Sequence, residues 1–104
     1  MANAWPSSTS IAGSPRTVLF QSARAGGSDE NGVLSVVVKN TGDNDMEVRC
    51  SNKHGDDEYM TLEAGASVTF EVEDQGHNGA QIDTVEAWAS GSSTTCTGGV
   101  VKWR

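Results

Sequence analysis

Apolar and polar residues alternate along several short stretches of this chain. In VLSVVVKN (33–40), Leu34, Val36 and Val38 fall on one face and Val33, Ser35, Val37 and Lys39 on the other, the period of two that marks a β-strand. MEVRCS (46–51) turns Met46, Val48 and Cys50 inward and Glu47, Arg49 and Ser51 outward. The NTGDND between them (40–45) offers residues that tolerate positive φ and hydrogen-bond their own backbone, so the pair predicts a hairpin. VTFEVE (68–73) repeats the pattern, with Val68, Phe70 and Val72 inward. RTVLFQ (16–21), YMTL (59–62) and VVKWR (100–104) are shorter strand candidates. AQIDTVEAWAS (80–90) places Ile82, Val85 and Trp88 at a spacing of three, which fits a helical face. Its β-branched residues and flanking turns favour a strand with a bulge.

Polar, glycine-rich segments separate these stretches, at 22–32, 52–58, 63–67, 74–79 and 91–99. About seven strands spaced in this way, with no helix, predict an all-β fold: a single antiparallel β-sandwich or small β-barrel over residues 15–104. Residues 1–14 read as a flexible N-terminal arm. Trp5 and Ile11 stand there without periodic apolar neighbours, so the segment alone does not offset its ordering entropy. Its Trp5-Pro6 pair is either an anchor for a partner's pocket or a segment that folds back on its own domain. The two valines on the second face of 33–40, Val33 and Val37, suggest a face covered by another subunit or by the arm.

At 104 residues the chain makes one domain able to bury roughly two thirds of its unfolded surface. Fourteen acidic residues against seven basic ones give a net charge of −7, which repels phosphate backbones and anionic lipid, so neither nucleic acid nor membrane is an expected partner. No apolar run approaches the ~18 residues of a membrane-spanning helix. MANAWPSSTSIAGSP has no basic segment and no apolar centre, so no leader is expected and synthesis in a cytoplasm is. Cys50 and Cys96 are compatible with one disulfide, worth ~4 kcal/mol by loop entropy, or with two reduced core thiols.

CSNKHGDDEYM (50–60) holds the soft ligand set of a blue-copper site in Cys50, His54 and Met60. Such a site needs a second imidazole from an earlier strand, and the only other histidine, His77, comes later. Zinc-knuckle spacing is absent. Asp43, Asp45, Asp56, Asp57 and Glu58 crowd two turns but match no twelve-residue calcium loop. No nucleophile elbow occurs, and both histidines lie in turns that hold a base poorly. Glu71 and Glu73 on one strand face read as an aggregation-resistant edge rather than a glycosidase pair. The expectation is no enzyme, no catalytic residue, no cofactor and no metal. Trp5, Trp88, Trp103 and Tyr59 are the rings available to a carbohydrate-binding module; Trp88 and Trp103 are expected in the core, and an exposed tryptophan patch would argue for glycan binding.

VLSVVVKNTGDNDMEVRC…MTLEAGASVTFEVE…VEAWASGSSTTCTGGVVKW (33–103) resembles, in layout, the small β-sandwich capsid decoration (cement) proteins of tailed bacteriophages. The shared layout is a strand ending in NTG, a polar return strand, L-x-A-G-x-S-V-T-F, a short strand of small residues and a terminal V-x-W strand. The resemblance implies a virion structural protein on the capsid exterior, made in a host cytoplasm. It would bind the major capsid protein, as a homotrimer by analogy, and carry no catalytic residues. The partner-facing residues expected on this reading are Trp5, Pro6, Ile11, Val33 and Val37. The alternative function is a carbohydrate-binding or adhesion β-sandwich module.

Overall fold

A computed structural model of the chain describes residues 9–21, 32–73, 79 and 81–103. Eight strands run in chain order: β1 (Thr9–Ile11), β2 (Thr17–Gln21), β3 (Val33–Asn40), β4 (Met46–Asn52), β5 (Asp57–Leu62), β6 (Ser67–Glu71), β7 (Ile82–Ala89) and β8 (Thr94–Trp103). Every pairing is antiparallel, and no helix occurs among the described residues.

The pairings nest. β1 lies on β8, β2 on β7, β3 on β6 and β4 on β5, as if one long hairpin had been rolled up. β3 also pairs with β8 and β4 with β7, giving two four-stranded halves, β1-β8-β3-β6 and β2-β7-β4-β5. A bridge between Val33 and Ile82 makes them one continuous sheet, folded at that point and not closed into a barrel. This wiring is that of a jelly roll. The expected all-β sandwich is therefore present, with eight strands.

The core lies between the halves and draws on all eight strands, from Ile11, Phe20 and Val36 to Val48, Leu62, Phe70, Val85 and Cys96. In β4 the alternation is the one the sequence predicts, with Met46, Val48 and Cys50 buried. In β3 it is not. Register shifts against β8 on either side of Ser35 reverse the phase, so Val33 joins Val36 and Val38 in the core cluster, and Leu34 is buried outside it.

Three further departures follow. The hairpin expected of 33–40 and 46–51 does not form: the NTGDND turn carries the chain from one half of the sheet to the other, so β3 pairs with β6 and β8, and β4 with β5 and β7. The segment 91–99, expected to be a loop, supplies most of β8, because Thr94, Thr95 and Thr97 take extended backbone readily and Gly98 and Gly99 lie opposite Val38 and Val37. Thr9–Ile11, expected in a free arm, is β1, in register with Thr94–Cys96. Ile11 is completely buried. The domain thus takes in chain before residue 15, while Trp5 and Pro6 lie outside the described residues.

The NTG turn is locked by its asparagine. Asn40 is fully buried. Its Nδ2 donates to the carbonyls of Leu62 (2.9 Å) and Asn44 (2.7 Å), and its Oδ1 accepts from Thr94 Oγ1 (2.8 Å) and Gly42 N (3.1 Å). All four hydrogen-bonding positions of the amide are used, tying β3, β5 and β8 together at one corner. A Cβ at Gly42 would overlap Thr94 Oγ1 and lie 2.7 Å from Thr95 N, so that turn position accepts only glycine. Gly65, in the EAG turn before β6, has φ +82°, a conformation that glycine adopts without strain.

Candidate interaction face

The outer face of the β2-β7-β4-β5 half collects most of the described chain's organised polar chemistry. Alternation sends Val48, Cys50, Val85, Ala87 and Ala89 inward, so Glu47, Arg49, Ser51, Glu86 and Trp88 face out. Three rows cross the strands: Val18–Glu86–Arg49–Tyr59, Trp88–Glu47–Thr61 and Thr84–Ser51–Asp57.

Arg49 is the centre of the charged network. Its Nη1 donates to Glu86 Oε1 at 2.8 Å and its Nη2 to Asp57 Oδ1 at 3.1 Å. Ser51 Oγ donates to the same Asp57 oxygen at 2.7 Å. That hydroxyl foremost, with the Arg49 guanidinium beside it, holds the Asp57 carboxyl below its ordinary range. Glu47 accepts from Thr61 Oγ1 (2.8 Å) and Ser90 Oγ (2.6 Å).

Around this network sits an aromatic and cationic cluster. Arg16, the residue before β2, lies with its guanidinium carbon 4.0 Å from the Trp88 ring centroid and its Nη1 3.6 Å from Glu86 Oε1. Tyr59 meets Trp88 edge-on, with centroids 6.3 Å apart and planes at 77°. Tyr59 is 59% exposed and Trp88 half-buried. Tryptophan, tyrosine and arginine are the side chains that dominate binding energy at protein interfaces, and the neighbouring ion pairs hold this set in one arrangement.

Trp88, expected in the core, is thus on the surface. The signal for this was present: Ala87 and Ala89 flank it, and small residues suit the interior of a closely packed sandwich. Trp103 ends β8 opposite Val33, and its ring lies outside the described part of the structure. The partnerships of Trp88 with Arg16 and Tyr59 carry no local sequence signal, because strand pairing alone brings them together.

Of the expected partner-facing residues, the three that are described, Ile11, Val33 and Val37, do not form one surface. Ile11 and Val33 are core residues and unavailable to a partner. Val37 is half-buried on the outer face of the other half, between Gly99 and Thr69. Trp5 and Pro6 are outside the described residues.

Cys50 and Cys96 are both buried free thiols, which corrects the disulfide alternative. Cys96 lies opposite Asn40, whose amide binds the Leu62 carbonyl, and Leu62 pairs with Met46. The two thiols lie on β4 and β8, in opposite halves of the sheet. Burial pushes the Cys50 thiol up to about 12, with the Glu58 carboxylate adding to it. Burial alone pushes Cys96 up to about 11. Both thiols are therefore protonated and poor nucleophiles at neutral pH.

Among the described residues no three His, Cys, Asp or Glu side chains converge as a metal site. His54 is exposed in the β4–β5 turn, its backbone N–H bonded to Asn52 Oδ1; His77 is outside the described residues. Glu71 and Glu73 are exposed at the end of β6 and just beyond it. No described helix is long and apolar enough to cross a membrane. No protein-family model, no characterised protein and no solved structure matches the chain.

Proposed function

We propose that this is a virion structural protein, a capsid decoration protein that packs its jelly-roll body on the exterior of a phage head and strengthens contacts between major capsid subunits. The observation that carries the reading is the nested eight-strand wiring, an architecture used by viral capsid and lectin domains. It supports the reading by analogy of fold, alongside the layout of residues 33–103. The acidic surface suits a soluble component delivered late to a preformed shell. Symmetric display over a head makes weak individual contacts sufficient. Contact is assigned to residues 1–8, with Trp5 as the anchor, and to the Arg16–Trp88–Tyr59 face.

A thermal challenge tests this role: heads with and without added protein are heated, and DNA release is followed by dye fluorescence. Decorated heads release DNA at a higher temperature on this account; identical release curves would remove the stabilising function.

The same face favours a second reading. An exposed Tyr59 beside Trp88, bordered by fixed carboxylates and guanidinium groups, is the composition of a glycan-binding surface. Arg16 covers one face of the indole, so a sugar would stack on Tyr59. Glycan-array binding that disappears in Tyr59→Ala while the melting temperature holds would favour this module over the decoration protein.

A further inference from the structure

β5 and β6 are the strands at which the two halves of the sheet part. Among the described residues β5 pairs only with β4 and β6 only with β3, so each presents one edge that no described strand covers. Five of the six residues of β5 are exposed, Leu62 being the exception. Exposure on both faces means that the opposite half does not cover the inner side of β5. Tyr59 and Met60, 59% and 44% exposed, are two of the few large apolar side chains left at the described surface. A long exposed edge of this kind invites another strand.

The seam beside this edge opens into a cleft of about 160 Å³. Cys50, Phe70, Val72 and Ile82 form its apolar floor, and Asp56, Asp57, Glu58 and Glu71 line it with charge, Asp57 being paired with Arg49. The carboxylates on the outer face are matched: Asp57 and Glu86 pair with Arg49, and Glu47 holds two hydroxyls. Glu58 and Glu71, across the cleft from one another on β5 and β6, pair with no cation among the described residues. An apolar floor under unmatched carboxylates fits the aliphatic stem and charged head of a lysine or arginine.

We propose that the free edge of β5 accepts an extended segment of a partner protein as an added strand, with a basic side chain seated in the cleft between Glu58 and Glu71. Backbone hydrogen bonds along 57–62 supply the affinity, and alternate side chains supply the selection. Positions turned inward meet Glu58 and Met60, so a basic and an apolar residue suit them. The position turned outward meets Tyr59 and suits an apolar or aromatic residue. The site stands whether or not the partner is a shell protein.

The test is an NMR titration of the full chain with a capped synthetic peptide, Thr-Val-Lys-Val-Val-Val-Lys-Thr, and with its counterpart carrying Glu in place of Lys. The expected result is saturable amide shifts confined to 57–62, 67–73 and their neighbours on β4, with the acidic peptide bound at least about tenfold more weakly. The Glu58→Gln/Glu71→Gln variant, altered only at exposed positions, should weaken the lysine peptide by a similar factor with an unchanged melting temperature. Three results would overturn the proposal: no saturable shifts, shifts centred elsewhere, or equal affinity for both peptides. Concentration-dependent broadening of β5 without peptide would also overturn it, by making a second copy of this chain the occupant.

Discussion

Arg16 lies over the indole of Trp88, its guanidinium carbon 4.0 Å from the ring centroid, while its guanidinium also reaches Glu86 on the same strand. β2 and β7 bring these residues together from opposite ends of the chain, so the contact reports on the sheet as well as on the surface. Replacing Arg16 by alanine removes the cation–π contact at a cost of about 0.5–1 kcal/mol. Chemical denaturation should register that loss, and tryptophan emission should move to the red as the indole face meets water. An unchanged spectrum would mean that the two groups do not stack in solution.

The corner built on Asn40 should be far less tolerant. Asn40→Ala strips buried partners from the Leu62 carbonyl and the Thr94 hydroxyl, at about 1–3 kcal/mol for each group left unsatisfied. Gly42→Ala forces a methyl group against Thr94 and the Thr95 backbone, costing about 2 kcal/mol. Urea unfolding of both variants should show midpoints well below the parent's, with the slope unchanged.

Truncation separates the body from the residues before it. Removal of 1–8 keeps β1 and should cost less stability than removal of 1–14. Removal of 1–14 takes away fully buried Ile11, whose side-chain burial is worth about 1.5–3 kcal/mol, together with the β1 pairing on β8. Calorimetry on the two truncations should therefore give different answers. Equal melting temperatures would contradict the docking of β1.

Much of this fold was legible in residue spacing, and the failures have physical causes. β3, β4 and β6 follow directly from alternation around NTG and EAG turns, but alternation does not say which strands pair, and β3 and β4, expected as a hairpin, lie in opposite halves of the sheet. β1 was hidden because a three-residue TSI strand is too short to show a period, and its stability comes from β8. Most of β8 was hidden because Thr-Thr-Cys-Thr-Gly-Gly lacks the apolar alternation of a strand, its glycines facing the backs of Val37 and Val38. Val33 was assigned to the wrong face because the irregularity around Ser35 resets the phase. Of the candidate site, Trp88 was named for its ring but placed inside. Arg16 and Tyr59 join it only through long-range pairing.

The thiols set an alkaline limit on stability. Cys50 and Cys96 have an ordinary value of 9.0 and are held up to about 12 and about 11 in the fold. Above pH 9 the unfolded chain releases these protons while the folded chain keeps them, so stability is full below that point and falls as pH rises toward the folded values. Melting temperatures between pH 8 and 11 should decline, and Cys50→Ala should decline less steeply. In the native protein at pH 8 a thiol-specific disulfide reagent should label neither cysteine, and in urea it should label two per chain.

Asp57 works in the opposite direction. Its carboxyl is held below 3.8, first by Ser51 and then by Arg49, so its stabilisation is present above that value and is lost as pH falls through the lower folded one. Asp57→Asn should flatten the acid limb of the stability profile while leaving the neutral region close to the parent. An acid limb of equal slope in both proteins would show that the outer-face network does not persist in solution.

The account turns on binding to a shell, and co-sedimentation measures that most directly. For the proposed role, purified protein is mixed with tailed-phage heads that carry no decoration protein, the heads are pelleted, and bound protein is counted per major capsid subunit. The account predicts saturation at a fixed ratio set by the head's symmetry, with residues 1–8 required and Trp5→Ala weakening binding. Protein left wholly in the supernatant at micromolar concentration, or bound without saturation, would contradict it.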